Sequence, residues 1–453
     1  MFFNVIQTDD GFSIELTGQK WQADTCALKF PADIWDAYRG KASLVRELAY
    51  VTTLATPLML NHGRVQYNTA SPEFLHTYIQ SFERAIPNLV EPIPEENAHE
   101  ILQRVRNLEL NFNGPPAVDS FQFNTSPSPG KVILPFSFGK DSLLTLGLLR
   151  DAGYTVIPVI IDERVLPRGF AMKTRFCQML EKETGIRCHV VTNQVQLLSD
   201  YQVLEVDPTR LYQVQVYFVY LLAMLPFCAY YGAPFIAMNN EYANTLQTMH
   251  KNNILTPKRT MQGKEMTRIL SRMTKKITDG RVGVVNLLGG LGDFAIHRLL
   301  HERFPRLGQY RISCHMEMTE HRRWCHGCER CARAFLFSKA LGYDIPQMGF
   351  EHTLLEEEHA EFFSLFHDYQ SSDRYRKWNA MEEAVAFHLA EKNGDTFPLV
   401  KKAASLHGDS NRNIEKLYKK IFTMHKNFPR SFKMRRVHAI TRKTLGSLFN
   451  PQL

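Results

Sequence analysis

The sequence predicts an α/β protein built on a doubly wound parallel sheet, and three observations predict it. From Lys131 to Met238, short apolar runs alternate with longer helical runs, the pattern of strand–helix–strand units. The apolar runs are continuous, as strands buried on both faces require. A polar turn, Ser137-Phe-Gly-Lys-Asp-Ser142, stands where the first apolar run gives way to the first helix, the edge at which such sheets bind ligands.

The elements follow in order. Residues 1–128 carry strand-like segments (Phe12–Leu16, Leu108–Phe112) and helical ones (Ala32–Arg39, His99–Leu108), and they predict a mixed α/β domain of its own. It closes at Asn124-Thr-Ser-Pro-Ser-Pro-Gly130, a linker by composition. Within 129–345, strands are expected at Lys131–Phe136, Tyr154–Ile161, Arg187–Val191 and Pro234–Met238. Helices are expected at Ser142–Ala152, Arg168–Thr184 and Leu211–Tyr231. Residues 346–453 predict a helical extension, beginning with an acidic stretch, Glu356–Glu361, that reads as a solvated face.

Charge and length exclude several classes. The net charge of +8 is concentrated between Arg412 and Leu453, where Lys and Arg face the single acid Glu415, so the remainder is close to neutral. Val216–Met238 lacks any charge, but Pro226, Gly232 and Pro234 divide it, which favours a core helix followed by a strand over a membrane span. The N-terminus has no basic, apolar leader pattern, and a cytoplasmic protein without a membrane partner is expected. The basic tail mixes cations with Phe422, Phe428 and Phe432. A nucleic-acid partner is the less favoured reading of it, and a helical face packed on the acidic stretch the plainer one.

Two constellations carry chemistry. In the first, a helix N-terminus presents unpaired N–H groups to an anion. Ser137, Gly139 and Ser142 add hydroxyls and close backbone approach, Lys140 adds charge, and Asp141 suits a magnesium ion or a turn. On the same edge, Asp162 and Glu163 lie just past the second strand, as a ligand-edge pair or equally a solvated turn, and Asn240-Glu241 follows the fourth with groups suited to a heterocycle edge. Lys258, Arg259 and Lys264 suit either an anion such as pyrophosphate or decoration of a loop, the second being the favoured reading. In the second constellation, Cys314 precedes Cys325-His-Gly-Cys328-Glu-Arg-Cys331, and four thiolates at C-x2-C spacing suit a closed, structural zinc site. The other cysteines are too scattered for a disulfide framework.

The strand–S-x-G-x-D-S–helix arrangement resembles the PP-loop of the N-type ATP pyrophosphatases, whose usual form is S-G-G-x-D-S. With Ser313-Cys314, Cys325, Cys328 and Cys331, the stretch from Lys131 to Tyr343 looks like 7-cyano-7-deazaguanine synthase, enlarged at both ends like members found in some bacterial anti-phage operons. The resemblance implies the adenine nucleotide alpha hydrolase-like (HUP) fold. It implies ATP and magnesium at Ser137, Phe138, Gly139, Lys140, Asp141, Ser142 and Asp162, with Lys140, Asp141 and Ser142 catalytic. It further implies a reaction: a deazaguanine-like carboxylate attacks the α-phosphorus of ATP, pyrophosphate leaves, and an amine displaces AMP to give an amide or nitrile. The amine is ammonia or, given the added regions, an amine on a protein partner. Phe138 stands where the family has Gly, which is tolerable only if the ring points away from the phosphates. A tRNA-thiolating enzyme, an epimerase of a peptidoglycan dipeptide precursor and a non-catalytic nucleotide-binding module remain alternatives, and homo-oligomerisation is left open.

Overall fold

A computed structural model describes residues 1–17, 26–115, 121, 128–163, 167–250, 253–312, 314, 322–407 and 411–422, together with 439, 441 and 443. The elements are β1 (Phe2–Thr8), β2 (Gly11–Thr17), β3 (Cys26–Lys29), α1 (Ala32–Ala37), α2 (Lys41–Thr53), α3 (Thr56–Met59), β4 (Arg64–Tyr67), α4 (Leu75–Val90), α5 (Ala98–Arg106) and β5 (Glu109–Phe112). The central region continues with β6 (Lys131–Pro135), α6 (Lys140–Asp151), β7 (Thr155–Glu163), α7 (Pro167–Thr184), β8 (His189–Asn193), α8 (Val216–Tyr231), β9 (Phe235–Met238), β10 (Gln247–His250), β11 (Ile254–Pro257), α9 (Lys264–Ile277), β12 (Gly283–Asn286), α10 (Asp293–Arg303) and α11 (Pro305–Gly308). The last part is helical: α12 (Glu329–Ala340), α13 (Arg374–Lys392), α14 (Pro398–His407) and α15 (Asn411–Ile421).

Ten strands form one sheet in the order β12-β9-β6-β7-β8-β3-β2-β1-β4-β5, and β10 and β11 form a separate hairpin. From β12 to β8 every pairing is parallel. The chain starts at β6, moves outward through β7 and β8, then returns to the other side for β9 and β12. The connections therefore reverse between β6 and β9, and that reversal opens a crevice beyond the carboxyl ends of those two strands.

Side-chain alternation divides the interior into two layers. Val132 and Leu134 of β6, with Val156 and Ile160 of β7, point to a layer covered by α6, α7, α10, α12 and α13. Ile133, Ile157, Val159 and Ile161 point the other way, to α8, α9 and the N-terminal helices. The apolar stretch at Val216–Met238 is resolved as buried α8, ended by Gly232 in left-handed backbone (φ 64°), and then β9. Leu211–Val214, expected to begin that helix, forms a 3-10 turn before it. Among the described residues no helix is long and apolar enough to cross a membrane.

The first 128 residues share both sheet and core with the central region. β3 pairs antiparallel with β8 (Leu28 with Asn193, Lys29 with Thr192), and one apolar layer runs from Phe3 through Leu222 to Val284. Position 128 is thus a change of sequence style within a continuous core. The linker residues 122–127 lie outside the described residues.

The acidic stretch forms a 3-10 turn, and its Glu357 is met by Lys402 of α14 at 2.9 Å. The start of that tail, α15, turns Ile414, Tyr418 and Ile421 inward against α13 and α10. Residues 423–438, which hold five of the tail's eleven Lys and Arg, lie outside the described residues, so the expected packing of the tail on the acidic stretch falls largely outside them too.

Candidate active site and metal centre

The polar turn sits at the mouth of the crevice. β6 ends at Pro135 and α6 begins at Lys140, so Ser137, Phe138 and Gly139 form the bend. Ser142 Oγ donates to the Gly139 carbonyl (3.0 Å), and Gly139 N–H donates to Ser137 Oγ (3.3 Å), a small self-bonded loop at a helix N-terminus. Phe138 adopts φ 59°, the left-handed conformation that a glycine takes without cost. Its ring is fully buried against Phe136, Phe176 and Tyr310, with centroids 4.7, 5.6 and 6.3 Å away. The side chain therefore leaves the crevice side of the bend clear. The Phe138 carbonyl accepts from Ile312 N–H at 2.8 Å, two residues before Cys314.

Lys140 is the centre of the site. Its Nζ lies 2.8 Å from Asp141, 2.7 Å from Glu241 and 2.9 Å from Asp293, and its side chain is only 13% exposed. Burial opposes the ammonium charge, but the three carboxylates outweigh it and hold the amine well above the ordinary lysine range. Burial raises Asp141 and Glu241, whereas Lys140 and Arg333 overcome burial at Asp293 and bring it down to about 2. The residues that meet here come from the chain just beyond β6, β9 and β12, so the sheet topology itself gathers them.

Asn240 and Asp162 play quieter parts. Asn240 is buried, accepts from Tyr217 through Oδ1 (3.2 Å), and its backbone N–H donates to Asn286 (3.1 Å). Asp162 is buried at the end of β7, beside Glu163 and outside the set of Lys140's ion partners.

Several site residues escaped the sequence reasoning. Asp293 opens α10 after Leu288-Gly-Gly-Leu-Gly292, a glycine-rich strand–helix junction like the first, and that signal was available. Gly292 is needed there because a Cβ would meet Glu382 Oε1 at 2.4 Å and Trp378 at 2.9 Å. Arg333 of α12 reaches Asp293 (3.2 Å), Glu382 (3.1 Å) and Glu383 (3.1 Å). Arg259 and Arg330 both act on Tyr217 at the crevice, and Lys258 lies 5.4 Å over the Tyr375 ring. Lys258 and Arg259 therefore belong to a basic rim and do not merely decorate a loop.

The second constellation assembles as its spacing requires. The Sγ atoms of Cys314, Cys325, Cys328 and Cys331 all lie within 4.8 Å of one another, with Cys325–Cys331 at 3.7 Å and Cys328–Cys331 at 3.5 Å. Zinc–sulfur bonds of about 2.3 Å in a tetrahedron place sulfurs about 3.8 Å apart, so the four thiols can hold such an ion. His326 takes left-handed backbone (φ 60°) at the tip of the turn, and its Nε2 accepts from Glu351 N–H (3.1 Å), which leaves the cysteines as the ligand set. Burial, with the neighbouring thiols, pushes Cys325 up to about 11; a cation at the centre reverses that preference. Ser313, His315 and His321 lie outside the described residues.

No protein-family model, no curated protein and no solved structure matches this chain. Its function has to be read from its own geometry.

Proposed function

We propose that the protein is an ATP-dependent adenylating enzyme that activates a deazaguanine-like carboxylate and joins it to an amine. The observation that carries this reading is the position of the Ser137–Ser142 bend at the reversal of the parallel sheet, with Lys140 drawn to the centre of the crevice by Asp141, Glu241 and Asp293. A nucleotide's phosphates would take the N–H groups at the start of α6 and the hydroxyls of Ser137 and Ser142. Lys140 would face the charge that develops as the carboxylate oxygen bonds to the α-phosphorus and pyrophosphate leaves. Arg259 and Arg330 stand at the rim, where an anionic leaving group or acceptor would pass.

Magnesium fits the donor set, since Asp141, Glu241 and Asp293 are hard oxygen ligands gathered at one point around Lys140. When bound, it would neutralise phosphate oxygens. Zinc at the four cysteines would be structural, because four thiolates leave no open position. In the second half-reaction the amine nitrogen bonds to the acyl carbon, the carbon–oxygen bond to AMP breaks, and AMP departs with the electron pair.

The test is exchange of labelled pyrophosphate into ATP with a panel of heterocyclic carboxylates. Exchange should require one of them, and Asp141→Ala should lower it at least a hundredfold while circular dichroism stays unchanged. Exchange by that variant at the wild-type rate would overturn the assignment.

A further inference from the structure

Beside the crevice, and separate from the Lys140 cluster, a small cavity is lined by Thr52, Glu163, Asn193, Gln196, Gln215 and the valines Val216 and Val219. It has room for one group of about the size of a water molecule. It lies where β7 and β8 end, and α2 of the N-terminal region closes it. Its polar atoms are unevenly matched. Gln215 Nε2 donates to the Thr52 carbonyl (3.2 Å) and to Ser199 Oγ (3.3 Å), which fixes the amide so that Oε1 is the free acceptor. That oxygen is buried without a hydrogen-bond partner, and so is Asn193 Oδ1; both residues are 3% exposed. Glu163 accepts from Tyr220 (2.8 Å) with one carboxylate oxygen, and among the described residues no cation forms an ion pair with it. Lys173 of α7 and Asp162 act on Glu163 with opposite sign from outside ion-pair distance, and a pocket with two unmatched amide oxygens beside a carboxylate calls for a small cation that donates several hydrogen bonds.

We infer that this cavity is the site of the acceptor amine, taken up as a primary ammonium. The inference rests on the proposed amide-forming reaction. Ammonium, or the –NH3⁺ end of a larger molecule, matches the size, the charge and the excess of acceptors at once. A metal cation of this size would want more oxygen ligands than the cavity offers. Water satisfies the geometry less well, because it carries two protons against three acceptors and no charge against the carboxylate. The ammonium has no lone pair, so it must lose a proton before it attacks. Glu163 is the base in reach: R–NH3⁺ and the carboxylate become R–NH2 and the neutral acid, a direction that burial of Glu163 favours. Tyr220 and Tyr217, with ring centroids 6.0 Å apart, line the way from Glu163 to Asn240 and the crevice.

The experiment separates this site from the activation chemistry. Pyrophosphate exchange needs no amine, so it reports on the proposed function alone. Glu163→Gln and Gln215→Met should leave exchange within about twofold of wild type. They should raise the KM for the amine about tenfold or more, the loss expected from a charged hydrogen bond. Ammonium chloride, methylammonium chloride and a peptide with a free α-amine are compared as acceptors, so that the size of the amine's carrier is read from the same assay. Independently of turnover, ammonium should raise the melting temperature of the wild type above that in potassium chloride of equal concentration, and Glu163→Gln should abolish the difference. An unchanged amine KM in both variants, or equal melting in ammonium and potassium, overturns the inference, even if exchange proceeds. Absent exchange with a clear ammonium effect would instead count against the activation chemistry and leave the cation site standing.

Discussion

Phe138 carries two opposed energies. Left-handed backbone costs a residue with a Cβ about 1–2 kcal/mol, whereas removing a buried phenylalanine ring costs about 3–5 kcal/mol. Packing wins, and that explains how a bulky side chain occupies a position where the resembling motif has glycine. The two energies also reverse a familiar order. Alanine normally outperforms glycine, but at φ 59° the Ala variant keeps the backbone cost and the Gly variant loses it. Phe138→Gly should therefore be destabilised by roughly 1 kcal/mol less than Phe138→Ala, both falling below wild type in urea denaturation. The reverse order would mean that the loop relaxes once the ring is gone. The signature of the bend was legible in the sequence, since Ser137, Gly139, Asp141 and Ser142 stand at a strand–helix junction. The backbone angle that reconciles Phe138 with it was not, because it is set by Phe176 and Tyr310, both distant in the chain.

At the scale of elements, α13 shows what a local reading misses. Glu382 and Glu383 look like solvent-facing residues of an ordinary helix, yet both are fully buried, because Arg333 waits for them about fifty positions earlier in the chain. One guanidinium serves three carboxylates there, and burial pushes Glu382 up to about 8 and Glu383 up to about 7. An acid held above its unfolded value keeps its proton longer in the folded state, so its contribution to stability falls as pH rises between about 4.5 and 8. Glu382→Gln removes that loss. Its stability relative to wild type should climb across this window by a few kcal/mol, as order of magnitude, and level off on either side. Parallel stability curves would mean that Glu382 is ionised throughout. At α12, about one zinc per chain is expected by atomic emission. Cys328→Ser should lower both zinc content and melting temperature, while an apoprotein of unchanged stability would remove the structural role.

For the whole molecule, the parallel half was legible because each strand is a continuous apolar run and each helix long enough to show itself. The join to the N-terminal strands was not. Two residue pairs between β3 and β8 leave no periodic trace, and the apolar face of α8 gives no sign that α1 and α2 cover it. A chain beginning at residue 129 should accordingly be insoluble when expressed alone. Residues 1–128 supplied as a second chain should restore it; an independently soluble, cooperatively melting 129–453 fragment would show two separable units.

The hydrogen bond from Ile312 to Phe138 has a consequence that reaches across the molecule. It ties the Ser137–Ser142 bend to the segment that enters the cysteine cluster, while α12 leaves that cluster and delivers Arg333 to Asp293. Bend and cluster are thus two ends of one mechanical loop, and linkage between two ligands runs equally in both directions. Whatever factor the metal adds to nucleotide affinity, the nucleotide must return to the metal. On the proposed function, and with a factor above one, a cell rich in ATP would hold zinc on this protein more firmly than a starved one, and the rate at which a chelator strips the ion would report how full the crevice is.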